Sequence, residues 1–222
     1  MNQIDNGTIN YRDELIRKLI HLCSLSIPII YYFIPTSTAA IILGTLTFFA
    51  LLIDLGRFFF PEFATIFYKI FGFILRKHEV DHKKKNLNGA TYVLLAAFLG
   101  VLIFPKIIFI TAFTILIVSD TSAALIGRKF GRNKFLRKSL EGTLAFFISA
   151  SIVVFFTPKI GNYGTEYIIG FIAAFIGAIV ENLSFGIVDD NISIPFSVGI
   201  VMWALYALWL PDLDLILKNV PV

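Results

Sequence analysis

Seven times along the chain an apolar run approaches the thickness of a membrane, and the polar residues gather in the gaps. The runs are 19–34, 38–53, 89–104, 107–126, 143–156, 167–185 and 194–210. A helix needs about 20 residues to cross roughly 30 Å of hydrocarbon. Each run therefore reads as a transmembrane helix, bounded by Pro, Gly or charge. An eighth run, 58–75, carries Pro61, Glu62 and Lys69 and is flanked by Arg57 and by Arg76 and Lys77. A crossing would put one basic cluster on the wrong side, so this segment is expected to lie at the interface or to re-enter.

Composition agrees. Of the 222 residues 57% are hydrophobic and only 15% charged, and the mean hydropathy is +0.82, which excludes an ordinary soluble globule, a disordered chain and a coiled coil. The expected fold class is all-α: a polytopic membrane protein of about seven transmembrane helices plus the interfacial or re-entrant segment, with residues 1–222 forming a single membrane-embedded domain. The lone Cys23 can make neither an intramolecular disulfide nor a thiolate metal site. Met1 to Glu14 is polar, and no signal peptide is expected.

The net charge of +4 gives an orientation rather than a nucleic-acid partner, for which no motif is present. With the N-terminus cytoplasmic and seven crossings, 16 of the 19 Lys and Arg residues fall on the cytoplasmic side, leaving Lys106, Lys159 and Lys218 outside. Twelve of the 15 acids fall there too, and only Glu166, Asp212 and Asp214 lie outside. The chemistry is expected on the cytoplasmic face.

Three polar stretches stand out. Ser119, Asp120, Thr121 and Ser122 fall inside the boundary of the fourth helix, where a carboxylate needs a cation, a metal or a water-filled cavity. Small Ala123, Ala124 and Gly127 follow, leaving room for close approach. Gly127-Arg128-Lys129-Phe130-Gly131 then forms a basic, glycine-bracketed turn, and Lys138-Ser139-Leu140-Glu141-Gly142-Thr143 opens the fifth helix. Helix N-termini, glycines and basic side chains suit phosphate, although a positive-inside loop with Ser139 as a cap would look the same. The P-loop spacing is absent. Finally, Glu181-Asn182 and Asp189-Asp190-Asn191 bracket a loop without Lys or Arg. Their oxygens suit a hard cation, Mg²⁺ accompanying a polyphosphate, although one Asp could simply cap the helix before Pro195. In this topology the N-terminal ends carrying Arg17-Lys18-Leu19-Ile20-His21, Asn88-Gly89, Lys138–Gly142 and Asp189–Asn191 all face the cytosol and could cradle a nucleoside triphosphate. Arg17 and Lys18 could equally be topological anchors, and His21 a packed helix residue.

The ordered motifs Ser119-Asp120-Thr121, Gly127-Arg128-Lys129-Phe130-Gly131 and Lys138-Ser139-Leu140-Glu141-Gly142 resemble the CTP-binding part of two related membrane families. One contains phosphatidate cytidylyltransferase; the other groups dolichol kinase, phytol kinase and CTP-dependent diacylglycerol kinase. The cytidylyltransferases continue with Lys-Asp, Pro-Gly-His-Gly-Gly and Asp-Arg-x-Asp, none of which is here. Asp189-Asp190-Asn191-Ile192-Ser193-Ile194-Pro195 instead resembles the kinases' Asp-Asn-x-x-x-Pro element, and Arg17-Lys18-x-x-His21 their N-terminal one.

The resemblance runs from about Glu14 to Met202 and implies transfer of the γ-phosphate of CTP to a membrane lipid alcohol. It implies a divalent ion, Mg²⁺ or another, on Asp120 and Asp190, with Asn191 or Glu181 completing the shell. Lys138, Arg128 and Arg17 or Lys18 would contact phosphates, within a nucleotide-binding set that also takes in Thr121, Gly127, Lys129, Gly131, Ser139 and Gly142. Asp189 or Glu141 would be the base. Dolichol, other polyprenols, phytol and diacylglycerol are all open as acceptors. The rival readings are a cytidylyltransferase acting on a lipid phosphate, a transporter using Asp120 as an ion relay, and a zinc protease. The last rests on His78-Glu79-Val80-Asp81-His82, which matches His-Glu-x-x-His but has no third His after it to complete a zinc site and reads as coincidence.

Overall fold

A computed structural model describes residues 11–72, 86–184 and 189–221. Among them are nine helices: α1 (Tyr11–Cys23), α2 (Ser26–Phe33), α3 (Thr36–Phe59), α4 (Pro61–Phe71), α5 (Gly89–Ile103), α6 (Lys106–Phe130), α7 (Leu140–Phe156), α8 (Gly164–Leu183) and α9 (Asp190–Trp209). The fold is nearly all-α. The departure from the expected class is a small antiparallel hairpin, β1 (Lys134–Phe135) with β2 (Lys138–Ser139), in which Lys134 pairs with Ser139 and Phe135 with Lys138. Leu136 turns it at φ 51°.

Among the described residues, helices cover most of each of the seven apolar runs, the first being interrupted at Ser24–Leu25. Five helical stretches are long and apolar enough to cross a membrane: Tyr11–Phe33, Thr36–Phe59, Lys106–Phe130, Gly164–Leu183 and Asp190–Trp209. The other two, α5 with 15 residues and α7 with 17, are shorter. The first stretch begins earlier than its apolar run, because α1 adds two turns containing Asp13, Glu14, Arg17 and Lys18. The eighth run is divided: α3 continues through Phe59, Phe60 is extended, and Pro61 starts α4 at the first helical position, where its missing N–H costs nothing. His78 to His82 lie outside the described residues.

α6 is the hub, packing against α7 and α9 and against the short α1 and α2. It can approach α7 closely because the facing residues are glycines: a Cβ on Gly127 would come within 3.3 Å of Gly142 Cα. On the other side, α3, α4 and α5 are tied by a buried polar knot. Asp54 accepts from Arg57 Nε (2.8 Å) and from the backbone N and side-chain amide of Asn88 (3.0 and 2.9 Å), and Arg57 also donates to Asn86 O (2.5 Å). The Arg57 guanidinium lies over the rings of Phe58, Phe67 and Tyr68. Asn88, read from the sequence as part of a phosphate-facing helix end, is held in this knot and caps α5 by accepting from Thr91 N at 3.0 Å.

At the opposite end of α8 the fully buried Glu166 collects four donors: the backbone N–H groups of Ile160 (2.8 Å), Gly161 (2.9 Å) and Tyr163 (3.1 Å), and the Tyr206 hydroxyl (3.2 Å). Removing the carboxylate leaves these groups without a partner. Glu166→Ala is expected to cost on the order of 3 kcal/mol and to lower the thermal midpoint of the detergent-solubilised protein. Activity per folded molecule should be unchanged, because Glu181 lies about 22 Å farther along the same helix.

Candidate functional site

Glu14, Lys18 and His21 are spaced four and three residues apart, which places them on one face of α1. That face meets α6. The Lys18 ammonium donates to Asp120 Oδ2, and His21 Nε2 lies 3.6 Å from the same oxygen. One turn earlier, Glu14 accepts from Arg17 Nη2 at 2.9 Å, and its other oxygen lies 3.6 Å from Arg128 Nη2, near the end of α6. Glu14, Lys18 and Asp120 are 1%, 2% and 4% exposed, and charges so buried persist only when paired.

A second group forms where the hairpin meets α8 and α9. Lys138 Nζ donates to Glu181 Oε1 at 2.5 Å, and the charges of Asp190 and Asp120 also reach it. Burial works against the ammonium. The charges of Glu181 and Asp190 and the Glu181 hydrogen bond outweigh it and raise the Lys138 pKa above the ordinary lysine value.

The two adjacent aspartates have different surroundings. Asp189 caps α9, its Oδ1 accepting from Asn191 N (3.0 Å) and Nδ2 (2.7 Å). Asp190, the first helical residue, is buried beside Asn191, and its charge reaches Lys138.

The remaining sequence candidates take local positions. Ser139 caps α7 by accepting from Gly142 N at 3.2 Å. Gly127, Gly131 and Gly142 close around its side chain, so tightly that a Cβ on Gly131 would meet Ser139 Cβ at 2.9 Å. These glycines thus accommodate neighbouring protein. Glu141, the second residue of α7, accepts from Asn133 N and Nδ2 at 3.1 and 2.9 Å and closes the hairpin. Thr121 donates back to Ile117 O at 2.7 Å. Lys129 is exposed over Phe130.

Arg17 Nε, His21 Nε2 and Ser119 Oγ are buried near the cluster without a hydrogen bond among the described residues, as is Thr91 Oγ1 on α5. Each such atom calls for a partner, and a bound ligand or water is one way to supply it.

For a divalent ion the fit is conditional. No three His, Cys, Asp or Glu side chains among the described residues stand together as a ready-made metal site, and Lys18 and Lys138 already bond Asp120 and Glu181. Asp120, Glu181, Asp190 and Asn191 are nevertheless hard oxygen donors. Mg²⁺ characteristically takes one or two carboxylates and completes its shell with substrate phosphates and water, and that arrangement the cluster can supply.

Comparison with known proteins adds kinship. The chain is 33% identical over 194 residues to an uncharacterized protein of Rickettsia prowazekii, covering 86% of this chain and 93% of the other. It is 26% identical over 155 residues to a CTP-dependent diacylglycerol kinase of Schizosaccharomyces pombe (64% and 69%). It is 33% identical over 98 residues to a phytol kinase of Synechocystis (41% of each). The resemblance to CTP-dependent lipid kinases carried by the motifs is borne out by these named relatives. No protein-family model and no solved structure matches it.

In this chain the Lys138–Glu181 pair has a defined pH window. A raised lysine pKa contributes stability that is fully present below the unfolded value of 10.5 and is lost as pH rises through the folded one. Lys138→Met, which leaves Glu181 without its cation, should lower the melting midpoint throughout pH 7–9. The gap from the parent protein should narrow only above about pH 10.5, as measured by thermal melts across that range.

Proposed function

We propose that this chain transfers the γ-phosphate of CTP to the hydroxyl of a membrane lipid alcohol, giving a lipid phosphate and CDP. The observation that carries the reading is the buried contact of Lys18 with Asp120. It brings the N-terminal helix onto α6, within electrostatic reach of the Lys138–Glu181–Asp190 group. The relatives named as diacylglycerol and phytol kinases support a lipid hydroxyl as acceptor, diacylglycerol or an isoprenoid alcohol of the phytol or polyprenol kind. In this reading the chain crosses the membrane seven times with its N-terminus cytoplasmic, α4 lies at the interface, and the charged cluster opens to the cytosol. The strong bias of Lys and Arg to that side supports the orientation.

Phosphoryl transfer requires mainly positioning and cations placed against developing charge. Arg17, Arg128, Lys18 and Lys138 would hold the triphosphate, the two lysines moving from Asp120 and Glu181 onto phosphate oxygens as it enters. Asp120 and Asp190, with Asn191 or Glu181, would hold Mg²⁺, which when bound neutralises phosphate charge. The lipid oxygen forms the new bond to the γ-phosphorus as the bond to the CDP oxygen breaks, and the hydroxyl proton passes to a carboxylate. Asp189 or Glu141 would take that proton: Asp189 stands beside Asp190 at the start of α9, and Glu141 closes the hairpin, each already accepting hydrogen bonds from a neighbouring Asn.

Purified protein incubated with γ-labelled CTP and a panel of lipid alcohols should place the label in one of them; release of pyrophosphate, or no transfer, overturns the reading. Asp120→Asn keeps an acceptor for Lys18 and should leave the fold intact while lowering turnover on the order of 10³-fold. Substantial remaining activity removes Asp120 from the site.

A further inference from the structure

Asn182 is 0% exposed and closes a ring of hydrogen bonds around the base of the hairpin. Its Oδ1 accepts from the backbone N–H groups of Arg137 and Lys138, at 2.9 and 3.2 Å. Its Nδ2 donates to Thr143 Oγ1 at 2.7 Å. The Thr143 hydroxyl in turn donates to Ser139 O at 3.1 Å. These partners leave the amide one orientation. Two N–H donors require the oxygen, and the hydroxyl, its hydrogen engaged with Ser139, can only accept. The preceding residue, Glu181, holds the tip of the same lysine. Two consecutive residues at the end of α8 therefore grip Lys138 at both ends, Asn182 by the backbone and Glu181 by the ammonium. A two-stranded hairpin of two residues per strand cannot hold a geometry alone, so the backbone grip is what gives Lys138 a fixed origin.

We propose that Asn182 is a positioning residue for nucleotide binding, setting the place from which Lys138 reaches the phosphates. The inference rests on the reading of Lys138 as a phosphate contact. Asn182 touches no reacting atom, and its effect passes through Lys138 alone.

The test is a double-mutant cycle in purified, folded protein, with KM for CTP and kcat measured separately. Asn182→Ala removes three hydrogen bonds and should raise KM for CTP about tenfold, with a smaller change in kcat. Thr143→Val keeps both backbone bonds, loosens only the orientation of the amide, and should fall between. It also decides the matter if Asn182→Ala fails to fold. In a Lys138→Gln background neither substitution should change KM by more than about twofold, because the group they position is gone. Equal fold-changes in the two backgrounds would show a merely structural role and overturn the proposal. A Lys138→Gln protein whose KM for CTP matches the parent would instead remove Lys138 from the phosphate site, a failure of the underlying reading that the cycle separates from the first.

Discussion

The Lys18–Asp120 pair is the contact on which the charged end of the molecule depends. An isolated carboxylate or ammonium at membrane depth is costly, and the first two turns of α1 bring several such groups with them. Their burial is matched by opposite charge, Asp120 of α6 for Lys18, and Arg17 of α1 with Arg128 of α6 for Glu14. The position of α1 is thus set by electrostatics more than by apolar packing, and α1 in turn carries Arg17 and His21 to the cluster.

Close packing joins this half of the cluster to the other. The glycine contact between α6 and α7 brings Ser139 and the hairpin against the end of α6, so Lys138 leaves the hairpin beside α6 and reaches across to α8. Each lysine is bonded to a carboxylate, and each carboxylate belongs to the set suited to a hard cation. In this state the protein neutralises its own acids with its own ammonium groups. In the proposed function, a polyphosphate carrying a divalent ion would offer both partners something to exchange, the cation for the acids and the phosphates for the lysines, so the exchange would not leave a buried charge bare.

Much of the fold was legible, because lipid demands unbroken apolar length and that demand is written locally. The break between α3 and α4 falls at Phe60–Pro61, inside the run that reads in the sequence as one segment from residue 58. What could not be read depends on partners distant in the chain. The sequence singles out Arg17, Lys18 and His21 but not Glu14, which shares a helix face with Lys18 and His21, and nothing in that spacing names Asp120, about a hundred residues on. The hairpin was hidden because Leu136 stands where a left-handed turn favours Gly or Asn. Asp189 and Asp190 are the same residue type side by side, and only the backbone direction at the start of α9 makes one a cap and buries the other. Asn88 looked like a phosphate-facing end because Asp54 and Arg57, which claim it, close an otherwise apolar run.

The charged face of α1 also bears on how the molecule is made. Tyr11–Phe33 is the least apolar of the five long stretches, and it leaves the ribosome about a hundred residues ahead of the α6 groups that neutralise it. At roughly 5–20 residues per second that is a delay of about 5–20 s. Among the described helices α1 is synthesised first yet cannot settle before α6 has followed, and the insertion machinery or the bilayer surface must shelter it until its counter-charges arrive.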